Sequence, residues 1–295
     1  MILVLRALGI GDLATGVPAL RALRRAFPDR TLALAAPAWL SPMVELIGGI
    51  DALVPCDGLE GRALPQASWA VNLHGRGPQS HRLLRRAHPE RLYAFACPQA
   101  EHVDGPEWSD GEHEVRRWCR LLEWYGIPTD PTDLALLPPP VPPRAGVAVV
   151  HPGAKAAERH WPPQRFAAVA RHLAARGFDV AVTGSAAERP IAECVAELAG
   201  LGEDSVLAGS TDPAELAGVV AHAKLVVSGD TGVAHLATAY RIPSVVLFGP
   251  VTPDLWGPPP DRPEHRALWR GPAVGSIGVE EVLAAVDEVT CAAAA

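Results

Sequence analysis

Residues 224–240 read KLVVSGDTGVAHLATAY, a short apolar run that breaks at Gly229 and resumes with helical spacing from Thr231. A strand of Leu225, Val226 and Val227 that turns through Ser-Gly-Asp-Thr-Gly into a helix is one β-α unit. The first N–H groups of such a helix find no partner inside it. Its start is therefore a ready anion site, suited to a phosphate.

The same rhythm runs outward in both directions. Apolar strand patterns at 2–5, 32–36, 52–54, 69–73 and 92–96 alternate with helical patterns at 13–27, 42–47, 79–86 and 113–125. It restarts with strands at 147–150, 180–183, 206–207, 225–227 and 245–248, and helices at 164–176, 187–199, 213–222 and 279–289, the last running into an alanine tail expected to fray. Between the two series, residues 128–143 read PTDPTDLALLPPPVPP, whose prolines cannot supply ladder donors and hold the chain extended. Strands alternating with helices predict an α/β fold with parallel sheets. We place the domain boundary at this linker, giving 1–143 and 144–295, two doubly wound Rossmann-like domains that take ligands at the carboxyl ends of their strands. A cleft between them is the default active site.

Composition narrows the classes. At 295 residues the chain favours two domains, and 48% apolar with 20% charged residues argues against disorder. A net charge of −7 argues against a nucleic-acid partner. The basic groups Arg21, Arg24, Arg25 and Arg82, Arg85, Arg86 cluster locally, and for the first cluster a solvated helix face is the expected reading. Five scattered cysteines, Cys56, Cys97, Cys119, Cys194 and Cys291, lack zinc spacing and read as reduced, cytoplasmic thiols. Arg6 and Asp12 interrupt the apolar N-terminus before it reaches the length of a span, so no signal peptide or membrane span is expected, and at most peripheral membrane contact.

The strand-end loops carry the candidate chemistry. In Gly9-Ile10-Gly11-Asp12, Asp12 stands where a helix N-cap would be, and it also suits a carboxylate that accepts a proton from an attacking hydroxyl. The motif alone leaves both roles open. A dinucleotide fingerprint fits less well, because Ala14 replaces the last glycine and Ala35, Ala36 and Pro37 stand where an acidic strand end is needed. After the fourth strand, His74-Gly75-Arg76-Gly77 offers a cation pair, His74 and Arg76, for an anionic acceptor group; an incidental surface turn is the competing reading, stronger for Arg76.

In the second half, Lys155 and Arg159 follow the first strand and suit neutralisation of a diphosphate without a metal, whereas Trp161-Pro162 reads as a packed helix entry. Ser185 lies in the next strand-end loop and joins the candidate nucleotide set. A single Asp-Thr-Gly opening a helix does not fit the paired carboxylates of an aspartic protease. Asp230 either caps that helix or meets a ligand, and His235 on its first turn is structural or in reach of ribose and phosphate.

With the Gly11-Asp12 loop, the Arg159-His160-Trp161-Pro162 turn and the Asp230-Thr231-Gly232-Val233-Ala234-His235 helix start in this order, the chain resembles the heptosyltransferase-like glycosyltransferases of family 9 over nearly its whole length. The resemblance implies a GT-B fold, with the N-terminal domain presenting the acceptor and the C-terminal domain holding a nucleotide-diphospho-sugar. It implies Asp12 as general base and a donor site at Asp230, Thr231, Gly232 and His235; Lys155, Arg159 and Ser185 join the expected donor set from their strand-end loops, and Gly11, His74 and Arg76 are the expected acceptor contacts. Two departures stand out. The family commonly has lysine where this chain has Arg159, which exchanges a compact ammonium for a planar fork. Asn72-Leu73-His74-Gly75 replaces a turn often bearing Asp or Gln, which points to a different acceptor.

The expectation is an inverting, metal-independent transferase that moves a heptose-like sugar, ADP-linked by the family's habit, to a hydroxyl of a glycan, glycolipid or small molecule. No cofactor beyond the donor substrate is expected. The alternatives are a nucleotide-sugar-binding protein in which Asp12 is only a cap, and a sugar-nucleotide epimerase.

Overall fold

The computed structural model describes residues 1–60, 63–142 and 144–292. Pro143 of the expected linker and the end of the alanine tail, residues 293–295, lie outside the described residues. The chain forms two compact units, Met1–Leu137 and Pro138–Ala295.

In the first unit, β1 (Ile2–Leu5), β2 (Leu32–Ala36), β3 (Ala52–Pro55), β4 (Trp69–Asn72) and β5 (Arg91–Tyr93) form a parallel sheet in the order β3-β2-β1-β4-β5. In the second, β6 (Ala148–His151), β7 (Val180–Val182), β8 (Leu225–Gly229), β9 (Ser244–Phe248) and β10 (His265–Trp269) form a parallel sheet in the order β10-β9-β8-β6-β7. The segment expected as a strand at 206–207 is reduced to one parallel bridge, Val206 to Val182, on the outer side of β7. Both units are Rossmann-like, as the alternating pattern predicts.

Burial explains which strands could be read from sequence. β1, β2, β6, β8 and β9 are buried at every position, so each is a nearly continuous apolar run. β10 is an edge strand, HRALW, in which only His265 is fully buried, and its pattern does not stand out from a loop. The expected helix over 13–27 is two helices, Ile10–Thr15 and Val17–Ala26, divided at Gly16 with Pro18 in the first turn of the second. The expected strand 92–96 ends at Tyr93, because the chain leaves the sheet and Ala96 N–H bonds to Pro106 O (2.9 Å).

The first arginine cluster is not simply solvated: Arg21 (2.5 Å) and Arg25 (2.7 Å) pair with Asp133, and Arg24 pairs with Asp51. Together with Leu137 N–H to Leu46 O (2.7 Å) and the buried Leu134 and Leu136, these pairs bind the start of the proline-rich segment to the first unit. Further on, Pro140 O lies where a side chain at Gly218 would come within 2.4 Å, so the segment presses on the helix Pro213–Ala221 of the second unit. Among the described residues no helix is long and apolar enough to cross a membrane.

Candidate active site

Each sheet reverses its winding once, and ligands of open α/β sheets bind outside the carboxyl ends of the strands at that point. In the first unit the chain moves from β1 to β2 on one side, then returns to place β4 on the other, so the reversal lies between β1 and β4. The loops that follow these two strands carry Asp12 and His74. In the second unit the reversal lies between β6 and β8, whose following loops carry Lys155 and Arg159 on one side and Asp230, Thr231 and Gly232 on the other.

In the first unit Asp12 is not the N-cap. Gly9 is, and Asp12 occupies the third helical position with Oδ2 accepting the Gly9 N–H (3.2 Å). The carboxylate thus reaches back over the helix start, and Gly11 precedes it in the first turn. His74 stands beside this loop: its Nδ1 accepts the Ala7 N–H (3.2 Å), and its own N–H donates to Asn72 Oδ1 (3.1 Å). Because Nδ1 is an acceptor, the ring proton resides on Nε2. Burial first, then the nearby Arg6 cation, with Asp12 opposing, pushes the imidazole down to about 4. His74 is therefore a neutral hydrogen-bond donor, and the expected cation pair with Arg76 does not form. Arg76 is exposed and faces Asp110 (3.8 Å), a contact of little energetic weight.

In the second unit, Arg159 Nη1 meets Asp230 Oδ2 (3.2 Å) and ties the loop after β6 to the loop after β8. This corrects the reading of Asp230 as a cap, since Thr231 holds the N-cap position of the helix Gly232–Tyr240. Thr231 makes no capping bond, and its hydroxyl, with that of Ser228 at the end of β8, is buried without a hydrogen-bond partner among the described residues. The contrast with the helix Pro213–Ala221 is direct: there Asp212 and Glu215 satisfy each other's backbone N–H groups, at 2.8 Å each. One helix start is closed by a reciprocal pair of side chains, whereas at the other the N-cap side chain makes no capping bond. His235 sits one turn into the open helix, edge-on to Trp256 at 5.9 Å between ring centroids. Lys155 is exposed in the loop after β6.

The structure adds Glu188, which sequence reasoning missed. Ser185 directs both its N–H (2.7 Å) and its hydroxyl (2.8 Å) onto Glu188 Oε2, and the carboxyl lies so close to Gly153 that a Cβ there would come within 2.3 Å of it. Burial pushes the Glu188 carboxyl up, but the backbone N–H and the hydroxyl of Ser185 outweigh it and its pKa is lowered. His151, at the end of β6, is held neutral by burial and bonds through Nδ1 to the Thr183 hydroxyl (3.0 Å). The S-x-x-E pattern of Ser185 and Glu188 is the signal that was available, and by itself it marks only a helix start. Trp161 is packed as expected, with Nε1 donating to Ile277 O (3.0 Å) and its ring edge-on to Phe166.

Comparison with known proteins bears on the family and the fold. The profile of glycosyltransferase family 9 (heptosyltransferase) matches residues 109–271. Lipopolysaccharide heptosyltransferase 1 of Pseudomonas aeruginosa is 30% identical over 215 residues, 68% of this chain but only 56% of that relative's own length. Among solved structures, a family 9 glycosyl transferase from Veillonella parvula superposes with a TM-score of 0.81 at 19% identity, covering 99% of this chain and 97% of its own. The E. coli ADP-heptose LPS heptosyltransferase II superposes with a TM-score of 0.79 at 20% identity, covering 100% and 99%. The two Rossmann-like units are those of a GT-B fold, and the chain belongs to glycosyltransferase family 9.

Proposed function

We propose that this chain is an inverting, metal-independent glycosyltransferase that moves a heptose-like sugar from a nucleotide-diphospho-sugar, with ADP-heptose as donor, to an acceptor hydroxyl of a glycan or glycolipid. Residues 1–143 serve as the acceptor domain and 144–295 as the donor domain, working in the cytoplasm, in keeping with the free thiols.

The observation that carries the reading is the uncapped start of the helix Gly232–Tyr240 at the β6/β8 reversal, with Arg159 beside it. There the helix N–H groups and the Thr231 hydroxyl donate to the diphosphate, and Arg159 and Lys155 offset its charge. Glu188 follows the second strand of its unit, the place where dinucleotide-binding folds put the acid that accepts from ribose hydroxyls. Asp230 meets donor hydroxyls rather than phosphate, since a carboxylate repels it, and His235 serves ribose or phosphate.

In the first unit, Asp12 takes the proton of the acceptor hydroxyl. The freed oxygen attacks the anomeric carbon from the face opposite the diphosphate, and the bond to the diphosphate breaks with its electron pair leaving on phosphate oxygen. His74, through Nε2–H, orients the acceptor, with Gly11 and Arg76 at the margin. Names of relatives support the substrate class: the Pseudomonas protein is named for lipopolysaccharide and the E. coli structure for ADP-heptose.

Thermal denaturation with ADP-, UDP- and GDP-linked sugars tests the donor. A ligand at a hundredfold its Kd adds about 2.7 kcal/mol of apparent stability. ADP-heptose is expected to raise the Tm most, and no rise with any of these nucleotides contradicts the assignment.

A further inference from the structure

Arg6 is fully buried, directly after β1. A lone buried cation is costly, so its contacts reveal what the fold gains from keeping it. Its Nε donates to the Asp12 carbonyl and its Nη1 to the Leu73 carbonyl. Nη2 donates to the Thr15 hydroxyl (2.9 Å) and meets Glu114 Oε1 (3.3 Å), and the guanidinium carbon lies 4.9 Å from the Trp118 ring centroid. The Thr15 hydroxyl in turn donates to the Asp12 carbonyl (2.9 Å). Gly16 keeps the passage open, since a Cβ there would come within 3.0 Å of both Cδ and Nε of Arg6.

These contacts join the two loops at the β1/β4 reversal. Leu73 immediately precedes His74, and Ala7, next to Arg6, donates its N–H to His74 Nδ1 (3.2 Å). Asp12 and His74 are thereby fixed from below by adjacent residues of one strand end. One presents carboxylate acceptors and the other an Nε2–H donor, the complement of a single hydroxyl. We propose that Arg6 is a positioning residue, whose buried guanidinium clamps the Asp12 loop to the His74 loop and so sets this acceptor–donor pair on the hydroxyl that is to be deprotonated.

The inference rests on the glycosyl-transfer reading and adds a residue that touches no substrate. Of the charged groups around His74, Arg6 and Asp12 act on the ring directly, while Glu114 pairs with Arg6, Arg117 pairs with Glu114, and Arg76 turns out to Asp110. Arg117 and the Trp118 indole (2.8 Å) still hold Glu114 when Arg6 is replaced, so Arg6→Met leaves no buried carboxylate without a partner.

The experiment compares wild type, Arg6→Lys and Arg6→Met by three readouts: ADP-heptose affinity, single-turnover transfer, and the NMR titration of the His74 ring. Arg6→Met is expected to lower the transfer rate about 100-fold with donor affinity unchanged, the scale of a misplaced catalytic pair. Its His74 midpoint is expected to rise from about 4 toward the ordinary 6.5. Arg6→Lys keeps the charge and should keep the midpoint low, yet one ammonium cannot span Asp12, Leu73 and Thr15, so transfer should still fall about tenfold.

Transfer within about threefold of wild type in both variants overturns the proposal, as does donor affinity falling in step with transfer. So does a His74 midpoint that stays put in Arg6→Met. If Arg6→Met does not fold, Arg6→Lys and Gly16→Ala, which crowds the same side chain, carry the rate comparison. Should wild type transfer sugar from no nucleotide donor, the functional reading fails on its own, while the His74 midpoints still decide whether Arg6 sets the state of that ring.

Discussion

The two units reverse their winding in the same way and fill the reversal with opposite chemistry. Between β1 and β4 nearly every polar group is spoken for: a buried arginine holds two carbonyls and a hydroxyl, Asp12 reaches back to Gly9, and His74 is held neutral. Between β6 and β8 the helix start is uncapped and two buried hydroxyls, Ser228 and Thr231, have no partner among the described residues. A closed, pre-aligned pair suits a proton transfer that must happen at one atom. An open set of donors suits a large anion that arrives and leaves with each turnover. On the proposed reading one fold serves two roles because side chains at the strand ends, not the topology, decide what the crevice holds.

The contrast can be broken from either side. Arg159→Gln keeps a donor toward Asp230 but removes the charge proposed to face the diphosphate, and is expected to weaken ADP-heptose binding about 10- to 100-fold by calorimetry. Lowering the pH probes the closed side. His74 has a folded pKa of about 4 against 6.5 when unfolded, so its neutral burial contributes fully above 6.5 and is lost as the pH falls toward 4. After allowance for its partial exposure, urea melts at pH 5 should show roughly 1–2 kcal/mol less stability from this group than at pH 7.5, and His74→Gln should flatten that slope.

Gly153→Ala sets a Cβ against the Glu188 carboxyl, which must shift, and nucleotide affinity should fall about tenfold while the Asp12–His74 geometry is untouched. The smallest effect is the most diagnostic. Thr231→Val removes a hydroxyl with no hydrogen-bond partner among the described residues, so stability should change by less than about 0.5 kcal/mol, whereas donor affinity should drop about fivefold.

Much of this was legible in the sequence, and the rest was hidden for physical reasons. Strands buried on both faces declare themselves as apolar runs, and the Gly-Asp and Asp-Thr-Gly turns mark where two of them end. β10 escaped because an edge strand needs no apolar run. Asp12 and Asp230 each left a cap or a chemical role open, and the N-cap positions belong to Gly9 and Thr231, because local spacing does not show which residue first takes helical geometry. The electrostatic state of His74 was out of reach because it depends on burial and on Arg6. Arg6 itself reads as a charge that ends an apolar run, and its partners Leu73 and Glu114 lie 67 and 108 residues away.

On the proposed reading the labour is divided, with proton abstraction at the closed reversal and diphosphate binding at the open one. Asp12→Asn tests it most directly, because the amide oxygen can still accept the Gly9 N–H but the side chain can no longer take a proton. ADP-heptose affinity and single-turnover transfer to a lipopolysaccharide-core acceptor are measured on the same preparation. Donor affinity is expected to stay unchanged and transfer to fall about 1,000-fold, within the range of a lost general base. Transfer at the wild-type rate would reduce Asp12 to a helix-start contact and contradict the account.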